Sequence, residues 1–127
     1  MAALSEAEAA ILTARQVAAF NVAVEAGDFT DYLALFADDA VITFENVPGA
    51  GELKYAGRDA YAHAYATQPP RDKIDITATA RCQGDEVIVP FVWRREGETG
   101  TLQMTFTSGT TDDIDERLVK AMTVTFD

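Results

Sequence analysis

The chain is poor in the residues on which much protein chemistry depends: its 127 residues include one cysteine, one histidine and two serines. Cys82 has no second thiol to pair with, which excludes an intrachain disulfide and suits a reducing cytoplasm. One histidine and one cysteine cannot assemble the usual zinc ligand sets, so no metal is expected. Ser5 and Ser108 lie outside any nucleophile-elbow pattern. Gly49-Ala-Gly51 lacks the spacing of a nucleotide-binding loop and reads as a hairpin turn; no cofactor is expected. Long hydrophobic runs are missing too. The strongest, Val87 to Trp93, is strand-sized, far short of the ~20 residues that cross a bilayer. Glu6 and Glu8 stand where a secretion signal would carry basic residues. Basic side chains are few: 10 against 21 acidic ones leave a net charge of −11, and Arg94-Arg95 is the only basic doublet. Such a surface repels phosphate backbones and anionic headgroups, which argues against nucleic acid or membrane as partners.

What the chain does have is apolar side chains, 48% of the total, enough for a packed globule. At this length one domain over 1–127 is expected, burying roughly two-thirds of the surface of its unfolded chain. Ser5-Glu-Ala-Glu8 is a capping box that opens a helix to about Ala26, where Gly27 supplies a left-handed stop. Leu12, Gln16, Phe20, Ala23 and Val24 recur on one face of it. Asp28 can cap a second, shorter helix through Phe36. Val41 to Glu45 is a β-branched strand, Val47-Pro-Gly-Ala-Gly51 a turn, and Glu52 to Tyr55 its hairpin return. A third helix starts near Arg58 and ends before Pro69-Pro70. The texture then changes to alternating strands: Lys73 to Cys82, Glu86 to Glu96, Thr101 to Ser108 and Leu118 to Phe126. Short turns between them imply antiparallel pairing. Pro90 has no N–H to donate and marks an edge or bulge. Helices first and a meander afterwards predict an α+β domain with a curved sheet.

Gly27-Asp28, Phe36-Ala-Asp-Asp-Ala40, Gly57-Arg-Asp59 and the C-terminal Phe126-Asp127 resemble the nuclear transport factor 2-like superfamily. Within it, the closest likeness is to SnoaL-like polyketide cyclases and ketosteroid isomerases. The resemblance spans nearly the whole chain. It implies a cone-shaped, strongly curved, mostly antiparallel sheet with three helices from the N-terminal half over its concave face. This fold hosts isomerases, cyclases, dehydratases, hydrolases and pure binding modules, so it implies less about activity. The isomerase branch uses an aspartate base on the first strand, with a tyrosine and a protonated aspartic acid holding the oxyanion. On that likeness the tyrosine position falls on Phe20 and the base position on Phe44. The strand 101–108, where the acid would lie, holds no carboxylate. A steroid isomerase of that mechanism is therefore not expected.

The same resemblance aligns Tyr65 with a tyrosine that supports the isomerase site. It also sets Phe36, Ile42, Phe44, Ile74, Val89, Phe91 and Trp93 along a cavity wall, with Phe20 beside them. Strand alternation independently puts Val89, Phe91, Trp93 and Arg95 on one face. Such a lining suits a flat, largely apolar ligand, and the same residues equally suit a solid core. Glu45 is the acid nearest the lost base position. A bulge before Asn46 would carry its carboxylate into the cavity, where desolvation makes it a general acid or base. Regular alternation sends it outward instead. Arg95 and Gln103, on neighbouring strands, would orient a polar ligand end if they face inward, while Arg95 could equally snorkel at the mouth. His63 lies two residues from Tyr65, about 200° around a helix, so the two hardly share one cavity. Asp38 and Asp39 near Arg58 suit an ion pair and a turn.

These readings converge on a cofactor-independent enzyme of SnoaL-like type. It would isomerise, cyclise or dehydrate an apolar carbonyl-bearing substrate, with Glu45 and Tyr65 as its catalytic residues. The rival is a non-catalytic ligand-binding or protein-interaction domain of the same fold. A homodimer is expected from the family and from the apolar outer face of the sheet, with Ile88 and Val92 on it. One of two sets would join them: Met122, Val124 and Phe126, or Ala121, Thr123 and Thr125.

Overall fold

The computed structural model describes residues 5–107 and 117–127; Ser108 and the acidic 112–116 stretch lie outside them. Helix α1 (Glu6–Ala26) begins at the expected box: the Ser5 hydroxyl accepts from the Glu8 amide, and the Glu8 carboxylate accepts from the Ser5 amide. It ends at Gly27, whose φ of 71° is the left-handed stop. Its buried stripe comprises Ala9, Leu12, Thr13, Gln16, Phe20 and Ala23.

Asp28, one residue before the N-cap Phe29 of helix α2 (Thr30–Leu33), accepts from both the amide and the hydroxyl of Thr30. This helix is shorter than the sequence suggests. The chain is extended from Phe36 onward as β1 (Phe36–Val47), because Phe36 enters the sheet opposite Val119 and the Leu35 carbonyl accepts from the Val119 amide. Tertiary pairing here overrides the helical propensity of an Ala- and Leu-rich segment. The hairpin return is β2 (Gly51–Ala56), followed by α3 (Arg58–Thr67). Arg58 ties the start of α3 to β1 through the Phe36 carbonyl and the Asp38 carboxylate.

The segment expected as one strand from Lys73 to Cys82 is two short ones, β3 (Ile74–Ile76) and β4 (Arg81–Gln83). Both pair with β5 (Glu86–Trp93), and the break between them falls opposite Val89 and Pro90. Pro90 has a carbonyl for the Thr77 amide on that edge but no N–H to return, so the ladder cannot run through. The meander continues through β6 (Thr99–Phe106) and β7 (Val119–Phe126).

The strand order is β2-β1-β7-β6-β5-β3, with β4 also on β5. All pairs are antiparallel except β1 with β7. The sheet curves around the three helices of the N-terminal half, and the register stacks its inner face in rows. One row is Phe44–Val124–Leu102–Val89 and the next is Ile42–Met122–Met104–Val87. The alternate rows, Thr43–Thr123–Gln103–Ile88 and Glu45–Thr125–Thr101–Pro90, face outward. Ala121, Thr123 and Thr125 are therefore the outward set on β7. At the edge, Asn21 of α1 takes the place of a further strand: its amide donates to the Ile74 carbonyl and accepts from the Ile74 amide, each at 2.9 Å. That clamp ties α1 to the β3 edge of the sheet.

Candidate functional site

Inside the cone, α1 contributes Gln16, Val17 and Phe20, and α2 and α3 contribute Tyr32, Tyr61 and Tyr65. From the sheet come Phe44, Ile74, Phe91, Trp93, Leu102, Met122 and Val124. The space they enclose is about 30 Å³, room for about one or two waters and far below an ordinary ligand site. Aromatic rings close it: Phe20 meets Trp93 edge-on at 6.2 Å, and Phe91 meets Trp93 at 5.6 Å. The ring of Phe91 fits because its cross-strand neighbour is Gly100. A Cβ there would stand 2.8 Å from the Phe91 ring and 2.5 Å from the Thr125 carbonyl oxygen.

The polar content of this interior is a chain of three phenols. Four-residue spacing on α3 stacks Tyr61 over Tyr65, and the Tyr61 hydroxyl donates to the Tyr65 hydroxyl at 2.7 Å. The Tyr32 hydroxyl lies 3.1 Å from that of Tyr61. Since Tyr61 has given its proton to Tyr65, Tyr32 must donate to Tyr61, and the hydrogen on Tyr65 is left for an outside acceptor. Burial pushes all three phenols well above the ordinary tyrosine range. They are hydrogen-bond donors at neutral pH, not bases. Gln16 stands near the Tyr32 hydroxyl but completes no hydrogen bond with either amide atom.

Two outer grooves meet the cavity. One, of about 600 Å³, lies between α3 and the β1–β2 hairpin and shares Phe44 and Tyr65 with the cavity. The other, of about 500 Å³, shares Trp93, holds Arg71 and Arg95, and lies across the stacked Trp93–Phe126 pair.

Of the residues singled out from the sequence, Phe20, Phe44, Tyr65, Ile74, Phe91 and Trp93 come together around one cavity. Phe36, Ile42 and Val89 are buried behind it; Phe36 packs on Tyr32 and Tyr61 at 5.1 and 5.3 Å. Three residues lie elsewhere. β1 does bulge, at Asn46 (φ 60°), but only on its β2 side. Pairing with β7 keeps Glu45 opposite Thr125, whose hydroxyl donates to it, on the outer face. Gln103 alternates with inward Leu102 and Met104 and so also faces outward. Arg95 is exposed beyond the end of β5, in a turn held by the Asp72 carboxylate. His63 is exposed and stays out of the cavity, but it does line the groove between α3 and the β1–β2 hairpin together with Tyr65, so the two share that opening. Sequence reasoning missed the roles of Gln16, Tyr32 and Tyr61. A glutamine inside an apolar stripe, and tyrosines four apart on one helix, were the available signals.

Among the described residues no cluster of His, Cys, Asp and Glu could hold a metal ion, and no helix is long and apolar enough to cross a membrane. The sequence profile of the SnoaL-like domain matches residues 17–121. No curated protein matches the chain. Among solved structures, an NTF2-like protein of unknown function from Mesorhizobium loti is 20% identical, with 93% of each chain covered and a TM-score of 0.59. A protein from Agrobacterium tumefaciens, provisionally described as an isomerase of the SnoaL-like family, is 13% identical over 94% of this chain and 97% of its own, with a TM-score of 0.62. One from Kribbella flavida, provisionally described as a ketosteroid isomerase, is 19% identical over 94% and 78%, with a TM-score of 0.54. At these identities the likeness shows the fold alone.

Proposed function

Because this chain belongs to the SnoaL-like domain family, we propose that it receives an apolar, carbonyl-bearing small molecule, with the carbonyl oxygen at the Tyr65 hydroxyl. The ligand enters along the groove between α3 and the β1–β2 hairpin, and rotation of the rim rings Phe44 and Trp93 enlarges the cavity. The observation that carries the reading is the direction of the phenol chain. Tyr32 feeds Tyr61, Tyr61 feeds Tyr65, and among the described residues no further acceptor takes the hydrogen on Tyr65. A donor polarised by two others in apolar surroundings is strengthened. It suits a carbonyl oxygen on which negative charge develops, the step shared by isomerisation, cyclisation and dehydration of carbonyl compounds. Such chemistry needs no cofactor. Tyr65 would be the catalytic acid, and the α-proton would pass to a water admitted by the groove, since no carboxylate lines the cavity among the described residues; Glu45, on the outer face, has no part in it.

No carboxylate lines the cavity among the described residues, and this favours a second reading: a non-catalytic receptor that holds the same ligand by the same hydroxyl. Trp93, the only tryptophan, reports on both. Its indole N–H signal in ¹H–¹⁵N spectra should shift with acetophenone at lower concentration than with ethylbenzene. Tyr65→Phe should remove that preference, about a 5- to 10-fold loss for one hydrogen bond, and Glu45→Gln should leave it intact. Equal affinity for ketone and hydrocarbon in the wild type would refute the carbonyl contact. Deuterium uptake at the acetophenone methyl, faster than with Tyr65→Phe, identifies the enzyme; binding without uptake identifies the receptor. The same proposal includes a homodimer through the outer sheet face, where Ile88, Pro90 and Val92 lie half-buried beside Ala121 and its threonine neighbours.

A further inference from the structure

The cavity has a second polar end that the phenol chain does not explain. Gln16 is 3% exposed, lines the cavity, and leaves both its amide nitrogen and its amide oxygen without a hydrogen-bond partner. Its neighbours on the stripe, Leu12 and Phe20, are apolar. An unpaired buried amide is destabilising, and a methionine or leucine would pack at such a position without that penalty. Thr13, one turn earlier, also has an unpartnered buried hydroxyl. It does not line the cavity, however, and a threonine hydroxyl can turn back to its own helix. For Gln16 the one neighbour within reach is the Tyr32 hydroxyl, which could meet the amide nitrogen but leaves the amide oxygen unanswered, since the Tyr32 hydrogen goes to Tyr61.

An amide offers a donor and an acceptor side by side. A hydroxyl, which takes one hydrogen bond and gives one, answers both; a ketone or ether answers only the donor. We propose that Gln16 is a specificity-determining residue that reads a hydroxyl group on the ligand. The ligand is then a hydroxy-ketone, its carbonyl at Tyr65 and its hydroxyl against α1. The hydroxyl sits at the far end of the phenol chain, where Gln16 adjoins Tyr32. This inference deepens the carbonyl reading above and rests on it.

The test compares acetophenone with its 3- and 4-hydroxy and 4-methoxy derivatives, following the Trp93 indole N–H and the Gln16 side-chain amide signals in the same spectra. The better hydroxyketone should bind about 5- to 10-fold tighter than acetophenone and move the Gln16 signals, and the methoxy compound should gain nothing. Gln16→Met should bring the ratio of hydroxyketone to acetophenone affinity to about one and raise Tm by a few °C as the unpaired amide is removed; Gln16→Leu serves if the methionine variant folds poorly. Equal affinity for hydroxylated and parent ketones, a preference that survives Gln16→Met, or a fall in Tm would overturn the role of Gln16. If Tyr65→Phe still weakens acetophenone in that event, the carbonyl reading stands alone. If no ketone moves the Trp93 signal, both are lost.

Discussion

Tyr32, Tyr61 and Tyr65 are held neutral by burial, and their mutual hydrogen bonds pass polarity across an interior that is otherwise apolar save for Gln16. The same burial makes them an alkaline weakness. Their folded-state pKa values are raised above the ordinary value near 10. Below that pH neither folded nor unfolded chain ionises them, so their contribution is fully present. Above it the unfolded chain releases protons that the folded chain retains, and stability falls by about 1.4 kcal/mol per pH unit for each of the buried Tyr32 and Tyr61, and by less for the half-buried Tyr65. Urea unfolding should therefore give a steady midpoint from pH 7 to 9 and a steep decline from pH 10 to 11. A midpoint unchanged at pH 11 would contradict the burial of the trio. Tyr65 was readable in advance because the family likeness falls on it. Its partner Tyr61 was readable only as a helix neighbour, since nothing local says that Tyr32 meets them from another helix.

Strands β5, β6 and β7 decide the shape of the cavity wall, and Gly100 is where they meet most closely. Phe91 and Phe126 flank it in register, and the Phe91 ring lies over its bare backbone. Gly100→Ala would force that ring or the Thr125 carbonyl to move, costing about 1–3 kcal/mol as overpacking does. The expected signs are a lower urea midpoint and altered Trp93 emission, because Trp93 packs on Phe91. Unchanged stability would mean that Phe91 does not rest there. At this scale the capping box and the Gly27 stop were legible, because each is enforced by atoms within a few residues; Pro90 was read as an edge or bulge of its own strand, but the break it causes falls in the neighbouring segment, between β3 and β4. The end of α2 was not. Phe36 leaves the helix for a strand 83 residues away in sequence, by pairing with Val119.

For the molecule as a whole, the outer sheet face is a broad surface of half-buried apolar and threonine side chains. Half-buried Ile88, Pro90 and Val92 share it with threonines and the alanine at 121; its acids are Glu45 beside Thr125, Glu86 at the end of the Ala121–Thr105 row, and Asp75 opposite Val92, paired with Arg94. With a net charge of −11, two copies would approach best where carboxylates are few. Light scattering at micromolar concentration should return twice the chain mass, and Val92→Asp should return it to the single-chain value. A single-chain mass for the wild type would remove the dimer.

Alternation and capping, which depend on neighbouring residues alone, determined from the sequence that this chain folds as helices followed by a meander with an aromatic inner face. Only the tertiary structure decided which polar groups that face would shelter. Glu45 and Gln103 are turned outward by strand pairing, while Gln16 and Tyr32 are brought in by helices packing across the sheet. Burial of a side chain depends on partners distant in sequence, so a charge or a hydroxyl acquires its chemistry only when the layers close.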